Sequence, residues 1–482
     1  MALPRRYYNI LILAFVIISA AYNFLHLNPS SGYAYPAVKL SNDHHPLNLK
    51  SGKDGIERLG SELKRPAYID EPTVTNLHAQ LLVATPVNTD PGGTKQEVNE
   101  PAPRKVTRIA ITESGGSHDE VTAALIHAFG QQQSVEISTY LLLQRYGIAD
   151  IMHDFNLSSP IVADKPSGAF EDNLDGLPFP HILVAATCEI EIVKLATAYG
   201  ILLAMGKTFL FCVIHHADRW IEGELVEKIR PWVEKERVHF IGLSEHTANY
   251  FRRECVPKWD TNASVLIDAL PPVFPVDVEA PLQSDSGLTF ALQGDYDPAR
   301  RDYTSTFEGL SEIIELAQNR SVEYSSLIPH NITLRLIGHG ETKPSIPDNL
   351  KSHISFDENL DYGTFYTLLS QTFTLLPSFA SKDYYDRKAS STIPAALIAG
   401  APLVANDELL KAYTYVPEAA VWKQGEGESE MDVVRRIVQL SGVEHERKRK
   451  VVREACGRLV ERNVELVGGW MKEGLARIEA VS

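Results

Sequence analysis

The sequence predicts an α/β protein: two Rossmann-like halves behind an N-terminal transmembrane helix and a proline-rich stem. Three observations carry this. Short apolar, β-branched runs alternate with helical segments, which implies parallel sheets with crossover helices. The alternation stops at PPVFPVDVEAPLQSDSG, Pro271 to Gly287, and then restarts. Before Val106 the chain shows little of either period.

The N-terminus sets the frame. Residues 1–6 end in Arg5-Arg6, and YYNILILAFVIISAAYNFLHL, residues 7–27, carries no charged side chain. A helix of about 20 such residues spans a bilayer, and the preceding positive charge keeps the tail cytosolic. A cleaved signal peptide is the rival, but His26-Leu27-Asn28-Pro29 is a poor small-residue cleavage site. Residues 28–105, with prolines from Pro29 to Pro103, read as a disordered stem.

The first half, 106–270, begins with a strand at Arg108–Thr112 and a helix from about Val121 to Phe129. Strands follow at Ser134–Leu143, His181–Thr187, Thr208–Ile214 and Val238–Leu243, with a helix through Ala204 and another ending near Cys255. After the 271–287 linker, 288–442 repeats the pattern. Strands fall at Leu288–Leu292, Ile332–Ile337, His353–Phe356, Thr372–Leu376 and Pro402–Ala405. Helices fall at Thr304–Asn319, Tyr362–Gln371 and Ala395–Ala399. Glu428–Leu440 and the C-terminal segment, 443–482, are helical.

Composition narrows the function. The chain has 482 residues, 44% apolar and 22% charged, with a formal net charge of −16, which argues against a general nucleic-acid binder. None of the four cysteines has metal-ligand spacing, and Cys188 and Cys212 are most simply buried thiols, though one disulfide stays open. Sequons at Asn156, Asn262, Asn319 and Asn331 suit a lumenal body.

In doubly wound sheets ligands sit at the carboxyl ends of strands, so candidate residues follow each strand. After the first, Gly115 and Gly116 allow backbone approach, and His118 is a candidate base for a hydroxyl; Asp119 can equally cap a plain helix there. There is no GxGxxG dinucleotide fingerprint. His215-His216-Ala-Asp218 is too tight for usual metal spacing and suits hydrogen bonds to an acceptor molecule or a structural role equally. In the second half, Gly294 with Arg300 and Arg301 suits a diphosphate, and Gly338 and Gly340 make another close-approach turn. Lys388 with Ser390, Ser391 and Thr392 before a helix gives the strongest phosphate signal.

The order ALQGDYDPARRDY, LRLIGHGE, ISFDENLDYGTFYTLLSQ, TLLPS, IPAALIAGAPLVAND resembles a two-domain glycosyltransferase of the GT-B fold. The second half is most similar to the nucleotide-sugar domain of the family-four glycosyltransferases, the "glycosyl transferases group 1". ESGGSHDEV, FCVIHHADRW and KASSTIPAALIAGAPLV resemble an uncharacterised fungal, membrane-anchored group. The resemblance implies a UDP- or GDP-linked sugar as co-substrate, no cofactor or metal, a glycan or glycoconjugate acceptor, and a type II protein of the Golgi or ER membrane. It places the acceptor on the first half and the donor on the second, with His118 a base only if the reaction inverts. The family's two glutamates fall at Arg387 and Ala395, with Asp386 the nearest substitute on the nucleotide or sugar. A degenerate scaffold and a sugar-nucleotide epimerase are the competing readings.

Overall fold

The computed structural model describes residues 106–142, 147–155, 157, 161–172, 174, 178–278, 288–318 and 331–480. The expected anchor and stem, and the sequons at Asn156 and Asn319, lie outside these residues. Among the described residues no helix is long and apolar enough to cross a membrane.

Two parallel sheets form the body. The first holds β1 (Thr107–Glu113), β2 (Val135–Leu141), β3 (Ile161–Pro166), β4 (Ile182–Ala185), β5 (Phe209–Ile214), β6 (Val238–Gly242) and β7 (Leu266–Ala269). Their order is β3-β2-β1-β4-β5-β6-β7. The second holds β8 (Leu288–Gln293), β9 (Ile332–Gly338), β10 (Ile354–Glu358), β11 (Thr374–Leu375), β12 (Leu403–Ala405) and β13 (Val421–Lys423), ordered β10-β9-β8-β11-β12-β13. Both orders reverse direction beside their first strand, between β1 and β4 and between β8 and β11, the positions where open sheets leave a crevice.

The central strands are uniformly apolar because helices cover both faces. Every residue of FLFCVI in β5 is buried, with Phe209 and Phe211 fully so. Each such side chain contributes roughly 1.5–3 kcal/mol. β3, β7 and β13 escape the sequence reading because they are short and peripheral. β3, IVADKP, alternates half-buried with exposed and ends in proline, as an edge strand tolerates. The helix Glu224–Glu234 also went unpredicted; its apolar positions Val226, Ile229, Trp232 and Val233 are buried. The helix expected after β4 is two helices, Cys188–Lys194 and Ala196–Met205, meeting at Leu195.

The linker expectation needs revising at its start. Val273 and Phe274 are buried in a core cluster shared with Tyr366 and Leu375 of the second half and Ala123 and Ala124 of the first. The C-terminal segment binds the halves further. It is one 38-residue helix, Gly442–Glu479, opened by a Ser441–Glu444 capping box. At 1.5 Å per residue it is about 57 Å long, enough to cross the molecule. Val452, Ala455 and Leu459 enter the shared cluster, while Val467, Trp470, Met471 and Ile478 enter the first-half core. Gly474 sits so close to Phe209 that an added Cβ would meet its ring at 2.6 Å.

The buried-thiol expectation is overturned. Cys188 and Cys212 form a disulfide, Cα to Cα 5.2 Å, tying the helix after β4 to the middle of β5. Their apolar setting is as expected, but the parallel pairing of β4 with β5 makes them neighbours, which linear sequence does not reveal.

Candidate functional site

The carboxyl ends of the two sheets meet. His216 and Lys388 form an antiparallel β-bridge, His246 approaches the Lys388 carbonyl at 3.0 Å, and Tyr362 donates to Glu120 at 3.4 Å. Each contact joins the first half to the second. His118, His215 and His216 thus lie near Arg300 and Lys388.

The first-half reversal is filled by its own carboxylates. Glu113 Oε1 accepts from the amides of Gly115 at 2.8 Å and Gly116 at 2.6 Å. Glu191 accepts from Ser114 N, Thr187 N and Thr187 Oγ1. Gly115 and Gly116 therefore offer their amides to a glutamate, not to a ligand, which corrects the expected backbone approach. Burial raises the Glu113 carboxyl and pushes Glu191 up to about 8, against these hydrogen bonds.

His118 begins the helix Asp119–Gly130 and stacks on His215, ring centroids 4.0 Å apart. Burial, then the charges of His215, His216 and Arg300, hold it well below the ordinary histidine value, so it is neutral at pH 7. No hydrogen bond from a described residue reaches its ring. Asp119 makes no side-chain cap and is pushed by burial up to about 8. His215 Nε2 lies 2.7 Å from the Ala186 carbonyl. Glu189 Oε1 holds the loop behind it, accepting from His215 N and His216 N, both at 2.8 Å, and Trp220 Nε1 at 3.3 Å. Among the described residues no cluster of three or more metal-type ligands is arranged to hold an ion.

The second-half reversal carries cations, but not all those expected. Arg300 is half-exposed; its Nε donates to Tyr384 Oη at 2.6 Å and its Nη1 pairs with Asp295. Lys388 Nζ lies 3.1 Å from Asp383. Arg301, by contrast, is 2% exposed and points inward, donating to the Gln293 carbonyl and Thr392 Oγ1, both at 2.8 Å, with Phe379 and Tyr384 stacked near its guanidinium. Its Nη2 thus holds the loop from inside, while Nε and Nη1 find no partner among the described residues. Gly294, at φ +132°, makes room for it: an added Cβ would meet Arg301 Nη2 at 2.6 Å.

The hydroxyl trio is corrected likewise. Ser390 and Thr392 are buried; Ser390 Oγ accepts from Thr392 N, and Thr392 Oγ1 donates to Gln293. Ser391 occupies the N-cap position without a side-chain cap, and the helix Thr392–Ile398 spans only seven residues. Gly338 abuts the Gly294 carbonyl and Gly340 the Tyr296 backbone, so their close approach is to the neighbouring loop. Asp386 is exposed and faces a separate recess of about 400 Å³ with Glu245, His246, Arg253 and Lys411.

Sequence reasoning missed Glu120, Tyr362, Asp295, Tyr384 and Asp383, which surround the expected cations and histidines. Glu120 feels both His215 and Asp295, and burial raises its carboxyl. Its place beside His118 at a helix start was a usable signal. Tyr362 and Tyr384 reach the site only through tertiary packing. A further missed group lies beneath the loop after β11: Ser378 adopts φ +45°, held by both oxygens of half-buried Glu430, which desolvation pushes up to about 7.

No family model matches the chain, and no curated protein does. Among solved structures it is similar in fold to Anabaena HepE in complex with UDP and glucose, at 12% identity over 77% of this chain and 100% of that one, TM-score 0.47. It is also similar to an alpha-glucosyltransferase in complex with UDP and a 13-mer DNA, at 12% identity over 73% and 95%, TM-score 0.47. The pneumococcal O-GlcNAc transferase GtfA, in complex with UDP and GlcNAc, aligns at 12% identity over 61% and 57%, TM-score 0.37.

Proposed function

We propose that the chain is a glycosyltransferase of the GT-B type, moving a sugar from a UDP- or GDP-linked donor to a hydroxyl of a glycan or glycoconjugate. One observation carries the reading: at the junction of two reversed parallel sheets, the half-exposed Arg300 lies near enough to His118 on the other half for its charge to help hold that imidazole low. Arg300 and Lys388 hold the diphosphate and neutralise its charge as it leaves, with no metal needed. His118 takes the acceptor hydroxyl's proton, a role that suits a single displacement with inversion. The first half takes the acceptor, because its own reversal is already filled by Glu113 and Glu191.

The Cys188–Cys212 disulfide supports an oxidising compartment, and with it the type II, Golgi or ER reading. Asn262 and Asn331 are exposed, as glycan acceptors must be. A catalytically degenerate scaffold is the second reading. Arg387 and Ala395 stand at the family's glutamate places, and Arg300 and Lys388 are already paired with Asp295 and Asp383.

The test is binding of UDP, GDP and their sugars by calorimetry, with sugar transfer to glycan acceptors, in wild type, Arg300→Ala and Lys388→Ala. Each variant is expected to weaken nucleotide roughly 10- to 100-fold, the scale of a lost charge-assisted hydrogen bond. Wild-type protein that binds no nucleotide leaves the scaffold.

A further inference from the structure

Arg387 sits where the two halves touch. Its guanidinium lies 3.7 Å from Asp218 of the first half and 2.8 Å from Asp383 of its own loop. Asp383 bonds Lys388 through its other oxygen, at 3.1 Å. The chain of charges therefore runs Asp218, Arg387, Asp383, Lys388, alternating in sign from one half into the other. Opposing burial, the hydrogen bond and charge of Lys388 and the charge of Arg387 hold the Asp383 carboxyl below its ordinary value. Backbone contacts reinforce the same spot. Lys388 bridges to His216, two residues before Asp218, and its carbonyl meets His246.

We infer that Asp218 and Arg387 are a positioning pair, a clasp that sets the Lys388 loop against the histidine loop. The clasp exists independently of any ligand, while its consequence rests on the donor-binding reading above. Arg387 holds one oxygen of Asp383 and leaves the other to orient Lys388, and Asp218 fixes Arg387 from the opposite half. Loss of either member frees Lys388 to swing with Asp383, and frees the two loops from one another. The position is therefore a joint between the halves, not a contact to the donor's sugar.

A double-mutant cycle tests it, with Asp218→Asn, Arg387→Gln and the pair, each measured for thermal midpoint without ligand and for UDP and GDP affinity. Both side chains are about a third exposed, at 35% each, so the pair is of modest strength. Each single variant is expected to weaken nucleotide roughly two- to fivefold, and the double variant no more than the weaker single. Asp218→Lys, which sets two cations together, weakens it further. A double variant whose loss equals the product of the singles overturns the clasp, as do singles indistinguishable from wild type. Should wild type bind neither nucleotide, the donor reading fails separately, and the cycle in thermal midpoint decides the clasp: non-additive singles support it, additive singles overturn it.

Discussion

Between β1 and β4, the amides of Ser114, Gly115, Gly116 and Thr187 end on two glutamates of the same half. Between β8 and β11, the loops present Arg300 and Lys388, each partly exposed and each tied to a single aspartate. One topology thus yields two different sites. A reversal in a parallel sheet supplies only a crevice; the side chains entering it decide whether it accepts an anion. The first half fills its crevice with two carboxyl groups, Glu113 and Glu191, and sets histidines at the rim. The second lines it with the cations Arg300 and Lys388, Arg300 paired with the half-exposed Asp295. An aspartate in half-exposed contact with arginine yields to a diphosphate, which offers more oxygens and more charge.

His118 gives the largest effect. His118→Ala is expected to lower kcat roughly 10²- to 10⁴-fold while leaving nucleotide affinity near wild type, since the residue belongs to the acceptor half. In wild type the acid limb of the kcat/KM profile should lie below pH 6.5, because burial keeps the imidazole neutral. A limb at or above that value assigns the base elsewhere.

The disulfide comes next, since the first half alone carries one among the described residues. Closing a loop of sequence separation 24, it stabilises by about 3 kcal/mol in the chain-entropy account. Cys188→Ala with Cys212→Ala should lower stability to denaturant on that scale and loosen the Glu189 hold on His215 and His216 more than the Arg300 loop. An equal effect on both loops would blur the distinction between the halves.

The raised carboxyls give an effect of definite sign. Asp119 and Glu191, pushed up to about 8, and Glu430, to about 7, keep protons in the folded protein that the unfolded chain loses near pH 4. Their stabilising contribution is complete below that and fades as pH rises through 7 to 8. Folding stability, and the thermal midpoint with it, should therefore fall between pH 5.5 and 8.5. Glu430→Gln, which keeps an acceptor for Ser378, should flatten part of the slope. A midpoint that rises over this range contradicts the assignment.

Much of the fold was legible because the strands of both sheets are continuous apolar runs, and Pro271–Gly287 punctuates them. Edge strands such as β3 were not, since half-exposed residues carry little periodicity. At the site, His118, Arg300 and Lys388 follow strands and could be read from their positions. Arg301, Ser390 and Thr392 follow strands too, yet they turn inward to Gln293 and to one another. Sequence spacing places a residue at a strand end but not on one side of it. Glu113 and Glu191 stand in no sequence motif that marks them, and only the folded loops show them accepting from backbone amides.

The central claim, that the second reversal holds the nucleotide and the first does not, is tested most directly by hydrogen exchange of backbone amides with and without UDP or GDP. Slowed exchange is expected over residues 294–302 and 378–389, with little change over 113–117 and 187–191. Protection concentrated at 113–117 and 187–191 would contradict it, since the nucleotide would then have displaced Glu113 and Glu191 from the amides they hold.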